Sequence, residues 1–247
     1  MLKFFRRIRK QLLNENKLRS YIFYAIGEII LIVVGIIIAI QLNKWKENKK
    51  LDNIRHEYYL QLVDELDDNK NYINEIIQKF NQKIAQYDKL IQSLDSTNLT
   101  TEEILNKYSI ANYYYYNILF QTGTIESLQS TGEIKLIPLP IRNKLLNLKR
   151  TMDRRIEVNK ELNQEYKDRS RPAALLGGFP AGLDNKQAQL NSDILAHKKN
   201  SEVDIILSLD AALFIKNLNE KMTVDACNEL LNEIEIIENL IHSELDK

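Results

Sequence analysis

Cysteine, glycine and proline are all scarce in this chain, at 1, 7 and 4 of 247 residues. The single cysteine, Cys227, excludes any intramolecular disulfide, and by itself it does not separate a reducing from an oxidising compartment. The shortage of glycine and proline removes the usual interruptions, so long unbroken helices are expected. Recognisable chemistry is missing as well. There is no G-x-S-x-G, no Walker loop and no dinucleotide fingerprint, so no catalytic residue can be named and no cofactor is expected. Each of the three histidines follows an acid by four positions: His56 after Asp52, His197 after Asp193 and His242 after Glu238. That spacing departs from the Glu-x-x-His of di-iron bundles and suits solvated helix faces, so no metal is expected. The acidic cluster Asp64, Glu65, Asp67 and Asp68 lacks a calcium-loop pattern and reads as another solvated face. Cys227 falls on the apolar face of its helix, which favours a buried, inert thiol.

Net charge is also missing, with 34 basic and 34 acidic residues, but the balance is uneven along the chain. Residues 1–50 hold eleven basic side chains against three acidic ones, a net +8 that leaves −8 for the rest. A basic start suits anionic lipid headgroups, and an acidic remainder repels nucleic acid. Membrane lipid is therefore an expected partner and nucleic acid is not.

One long hydrophobic run is present. From Ile22 to Ile40 the chain reads IFYAIGEIILIVVGIIIAI, with Glu28 as its only charge. About 20 such residues cross the hydrocarbon layer as a helix. The run is longer than a signal-peptide core and lacks a small-residue cleavage site after it, so an uncleaved transmembrane helix over 21–42 is expected. Tyr21 and Tyr24 at one end and Trp45 at the other suit the membrane interfaces. Residues 1–20 carry seven Lys and Arg, and residues 43–62 carry five. That bias predicts a cytoplasmic N-terminus and a C-terminal domain outside the inner membrane. Leu2, Phe5, Ile8 and Leu12 recur at helical spacing among basic residues, which fits either a surface-lying amphipathic helix or a plain topogenic charge cluster.

Within the span, Gly27, Gly35 and Ala39 lie above one another at spacings of eight and four, and Glu28 borders them. Small residues allow close helix approach, and an ionisable group at that depth costs at least about 2.5–3.5 kcal/mol unless it is relieved. Gly27, Glu28, Gly35 and Ala39 are thus the candidate helix-pairing residues. The expected partner is a second copy, giving a homo-oligomer, or another membrane protein.

After the span, residues 43–247 read as a helical bundle domain. Leu51, Ile54, Tyr58, Leu62, Leu66, Tyr72 or Ile73, Ile76, Phe80, Ile84, Tyr87, Ile91 and Leu94 step mostly by threes and fours, predicting one helix that continues the span. Thr100 and Glu103 form a capping box for a helix running toward Tyr113–Tyr116, whose rings are expected to pack. A short helix from Thr124 is expected to end at Gly132. Another is expected over Ile141 to Tyr166, after Pro138 and Pro140. The apolar, glycine-rich stretch 171–183 is expected to be an irregular loop. Two further helices are expected, about Ser201 to Leu218 and from Val224 onward.

The blocks Lys3-Phe4-Phe5-Arg6-Arg7-Ile8-Arg9, Tyr24-Ala25-Ile26-Gly27-Glu28-Ile29-Ile30-Leu31 and Gly35-Ile36-Ile37-Ile38-Ala39-Ile40-Gln41-Leu42-Asn43-Lys44-Trp45 resemble an uncharacterised single-span membrane protein family of the Bacteroidota. The similarity is specific over residues 3–50 and looser around Glu126–Gly132 and Leu136-Ile137. It implies an anchored helical protein and brings no activity, substrate or site residues. The fold expected is all-α, a transmembrane helix continuing into a long-helix antiparallel bundle. The function expected is binding, sensing or scaffolding at a bacterial inner membrane, the domain periplasmic. The alternative is a membrane-bound enzyme with a site near 171–183.

Overall fold

A computed structural model describes residues 18–96, 98–178, 196, 197 and 199–246. The basic segment ahead of Leu18, the side chains of Tyr21 and Tyr24, and residues 179–183 of the glycine-rich stretch lie outside the described residues. The chain divides into two compact units, Met1–Glu57 and Tyr58–Lys247.

In the first unit, helix α1 (Leu18–Leu94) carries the hydrophobic run. Apart from Ala25 and Glu28, every described side chain from Ile22 to Asn53 is exposed, Leu31 and Phe23 most of all at 71% and 67%. A water-facing helix would not present so continuous an apolar surface. This helix is long and apolar enough to cross a membrane. Beyond the run, Lys49 lies over the Trp45 ring at 5.5 Å.

The second unit is all-α, as the sparse glycine and proline imply. In it α1 follows a strict three-four step: Tyr59, Leu62, Leu66, Asn69, Ile73, Ile76, Phe80 and Lys83 are buried, and Tyr87, Leu90 and Leu94 are half-buried. This is the seam of a coiled-coil-like helix. The seam departs from the apolar positions marked in the sequence because it passes through Asn69 and Lys83, while Ile84 and Ile91 stand beside it.

Helix α2 (Thr101–Ser109) opens on the expected capping box. The Glu103 amide donates to Thr100 Oγ1 at 3.3 Å, and the Thr100 amide donates to Glu103 Oε2 at 2.8 Å. It ends well short of the tyrosines. Residues 112–122 are extended and irregular, and α3 (Gly123–Thr131) follows. Gly132, with φ at +77°, closes α3 in the left-handed region where a Cβ is penalised. A 3₁₀ turn (Glu133–Leu136) leads through Pro138 into α4 (Leu139–Leu175).

Helix α4 is longer than the sequence suggests. It takes in Arg171 to Leu175, and Pro172 sits in its final turn. That turn is completed by bonds from the Leu176 and Gly178 amides to the Pro172 and Ala173 carbonyls, with Gly177 at φ +81°. The start of the stretch assigned to an irregular loop is therefore helix.

The final helix, α5 (Glu202–Leu245), is one element where two were expected. Paired side chains fix its direction. From Tyr58 onward, Lys70 meets Glu238 and Lys83 meets Glu220, so α5 runs antiparallel to α1. Asn147 meets Glu233 and Arg155 meets Asn219, so it is antiparallel to α4 as well.

Two apolar cores result. The larger gathers Leu62, Leu66, Ile73, Phe80, Leu145, Leu148, Met152, Cys227, Ile234 and Ile241. The smaller holds Tyr108, Ala173, Ile205, Leu209 and Leu213. Between them lies a band of buried polar residues.

Candidate functional site

The band draws on all three long helices. Lys83 comes from α1, Arg155, Asn159 and Asn163 from α4, and Lys216, Asn217, Asn219, Glu220 and Thr223 from α5, each no more than 7% exposed. At one end Arg155 Nη2 donates to Asn219 Oδ1 and Thr223 Oγ1, both at 2.6 Å. Asn219 Nδ2 donates to Asn163 Oδ1 at 2.9 Å. Burial holds the Arg155 guanidinium below its usual range. Buried charge and amide dipoles survive in such a place only when paired, which is why the asparagines cluster around the arginine.

The same side chains hold the extended segment. A segment outside any helix or sheet has no ladder to satisfy its backbone, so helix side chains do so here. Asn163 Nδ2 donates to the Tyr116 carbonyl at 2.8 Å, and the Ile118 amide donates to Asn159 Oδ1 at 3.1 Å. Asn69 both accepts from the Gln121 amide at 2.9 Å and donates to its carbonyl at 2.7 Å. Tyr72 accepts from the Leu119 amide, Tyr166 donates to the Tyr113 carbonyl, and Lys83 donates to the Tyr114 carbonyl. The tyrosine run alternates accordingly. Tyr113 and Tyr115 are half-buried, Tyr116 stacks near Phe80 at 6.4 Å, and Tyr114 is 80% exposed, so packing claims only part of it.

At the other end of the band, Glu220 Oε1 lies 2.8 Å from Lys216 Nζ and 3.8 Å from Lys83 Nζ. Burial, reinforced by Lys216, pushes the Lys83 ammonium down to about 8. Burial raises the Glu220 carboxyl against the pull of both lysines. Two acceptors here have no hydrogen-bond partner among the described residues, Glu220 Oε2 and Asn217 Oδ1.

This end opens into a cavity of about 580 Å³. Lys83, Lys216, Asn217 and Glu220 line it together with Tyr87, Leu90, Ile110, Ala111 and Leu213, and Lys89 and Lys107 add further positive charge. Its size falls in the range of small-molecule sites, and it joins apolar walls to a few convergent polar groups.

The residues singled out in the sequence lie elsewhere. Gly27, Glu28, Gly35 and Ala39 belong to the membrane-length part of α1. A Cβ on Gly27 or Gly35 would meet nothing within 4 Å, so that strip is open. No described residue of the glycine-rich stretch lines the cavity. Glu65, read as part of a solvated acidic face, instead accepts from the Thr124 amide at 2.7 Å and supplies the first turn of α3 with a cap that Thr122 does not provide. Cys227 is fully buried, and burial pushes its thiol up to about 11, which leaves no thiolate near neutral pH. Among the described residues, no group of three or more His, Cys, Asp or Glu side chains is suited to a metal ion.

Sequence reasoning missed the cavity because its charged residues are scattered from Lys83 to Glu220. One signal was present: the polar run Lys216-Asn217-Leu218-Asn219-Glu220 interrupts an otherwise apolar helix face. Comparison of the chain with family models, curated proteins and solved structures finds no match.

Proposed function

We propose that the chain is a membrane-anchored helical module that binds a small molecule in the cavity of its second unit, in a binding or sensing role. The observation that carries this reading is the convergence of Lys83, Lys216, Asn217 and Glu220 on a cavity of about 580 Å³, with Glu220 Oε2 and Asn217 Oδ1 unpartnered among the described residues. Buried acceptors without partners destabilise a fold by about 1–3 kcal/mol each, a cost that a bound ligand removes. The test is thermal unfolding of the full chain in lipid nanodiscs with the small-molecule fraction of a bacterial extract. A rise of about 2 °C or more is expected for the native chain and not for Ala111→Trp, whose indole would fill the cavity. Equal shifts in both, or none in either, would remove the support for a ligand site.

The anchor is the exposed apolar part of α1, and the proposed setting is a bacterial inner membrane with the N-terminus cytoplasmic and the domain periplasmic. The excess of Lys and Arg ahead of the span supports that orientation. The resemblance of residues 3–50 to a Bacteroidota family supports the bacterial source. Self-association is proposed through the open strip of Gly27, Gly35 and Ala39, with Glu28 at its border. One experiment addresses both points. An amine-reactive crosslinker that passes the outer but not the inner membrane is expected to trap dimers of the native chain in intact cells, and few of Gly35→Leu. Crosslinks that appear only after lysis would place the domain on the other side, and undiminished dimers in the variant would sink the pairing.

A further inference from the structure

The chemistry lining the cavity narrows what it holds. Lys83, Lys89, Lys107 and Lys216 stand against Glu220 alone, so the lining favours an anion and repels a cation. Deep in the cavity two buried ammonium groups share one carboxylate, at 2.8 and 3.8 Å, which leaves one positive charge without a buried counterpart. A ligand carboxylate would supply that counterpart. A carboxylate alone brings only acceptors, however, and Glu220 Oε2 and Asn217 Oδ1 both call for a donor. Tyr87, Leu90 and Leu213 offer apolar surface to the rest of the molecule.

Building on the reading of the chain as a ligand-binding module, we propose that the cavity binds a small organic carboxylate that has an apolar body and a hydroxyl or amino donor beside the carboxylate. The carboxylate meets Lys83 and Lys216, a hydroxyl meets one of Glu220 Oε2 and Asn217 Oδ1 and an ammonium both, once those side chains turn toward the cavity, and the body lies against Tyr87, Leu90 and Leu213.

Calorimetric titration of the full chain in nanodiscs, with empty nanodiscs as the blank, tests this with four probes. These are 3-phenyllactate, phenylalanine, 3-phenylpropionate, which lacks the donor, and phenethylamine, which lacks the carboxylate. The first two are expected to bind one per chain. Loss of the donor is expected to weaken binding about tenfold or more, because a buried acceptor that the donor would have paired then stays unpaired, and the amine is expected not to bind. Lys216→Met is expected to weaken 3-phenyllactate about tenfold while the chain still melts cooperatively. Phenethylamine binding as well as 3-phenyllactate, 3-phenylpropionate binding as well as either, or no binding by any carboxylate at millimolar concentration would overturn the proposal. If the amine binds and Ala111→Trp abolishes it, the cavity remains a ligand site and only the ligand class fails. If neither the probes nor the extract stabilises the chain, both readings fall.

Discussion

Asn219→Leu is expected to lower the stability of the second unit by about 3–5 kcal/mol, the largest loss anticipated from any single polar replacement in the bundle. Asn219 accepts from Arg155 at 2.6 Å and donates to Asn163 at 2.9 Å and to the Asn159 carbonyl at 3.3 Å. A leucine would leave a buried guanidinium, whose Nε has no partner among the described residues, with only Thr223 and the residue-219 backbone carbonyl, at 3.3 Å, for its hydrogen bonds. The loss should not come from shape, since leucine is close to asparagine in size. It should come from stranding a charge in an apolar surrounding. The check is chemical denaturation of Asn219→Leu, Arg155→Met and the double variant. Arg155→Met with Asn219→Leu is expected to recover most of the loss, because removing both partners removes the stranded charge. A single-variant loss below about 1 kcal/mol, or a double variant worse than the sum of the two, would mean that the band is not the coupled network its geometry describes.

Between pH 8 and 10 the ligand-free chain is expected to gain stability relative to Lys83→Met, by up to about 3 kcal/mol. The groups facing Lys83 are Lys216 and Glu220 from α5, Lys79 on its own helix, and the Tyr114 carbonyl and Tyr116 ring from the extended segment. Burial and the two lysines outweigh Glu220 and hold its ammonium near 8, against 10.5 for an ordinary lysine. Through that window the unfolded chain binds the proton at Lys83 and the folded chain does not, so this group's contribution climbs with pH. Groups of the opposite sign titrate in both chains, starting with Cys227, whose thiol burial holds at about 11 against 9.0. Tyr108, Tyr113 and Tyr166 are held above the usual phenol range, chiefly by burial, and stay protonated in the fold while the unfolded chain ionises. Unfolding midpoints of the two chains across this range give the answer directly. Equal pH dependence of the two chains from pH 8 to 10, or a native chain that loses stability relative to Lys83→Met, would contradict the assignment. Saturating 3-phenyllactate should reduce the rise, since a carboxylate beside Lys83 favours its charged form.

The extended segment shows why some of the fold was legible in the sequence and some was not. Thr100 with Glu103, and Gly132 after its short helix, are local devices that act within one turn of backbone, and the structure uses both as their spacing implied. The irregular path of residues 112–122 has no such local code. Its backbone groups are satisfied by Asn69, Tyr72, Lys83, Asn159, Asn163 and Tyr166, residues 31 to 53 positions away, and only their assembly makes that path stable. The division of α5 into two expected helices has the same origin. Its apolar face breaks at Lys216 to Thr223, and a break in periodicity ordinarily signals a helix end. Here the helix runs on because Arg155, Asn159 and Lys83 from the neighbouring helices pair with those polar residues.

The all-α class and the membrane-length helix were legible from the chain alone, because hydrophobic periodicity and the scarcity of glycine and proline act locally, whereas the seam of α1 through Asn69 and Lys83 was not. Only the tertiary structure decided where the buried charges lie and that a cavity opens beside them. Lys83, Lys216 and Glu220 are ordinary surface-type residues in sequence, and burial across antiparallel helices, between two apolar cores, is what turns them into a site.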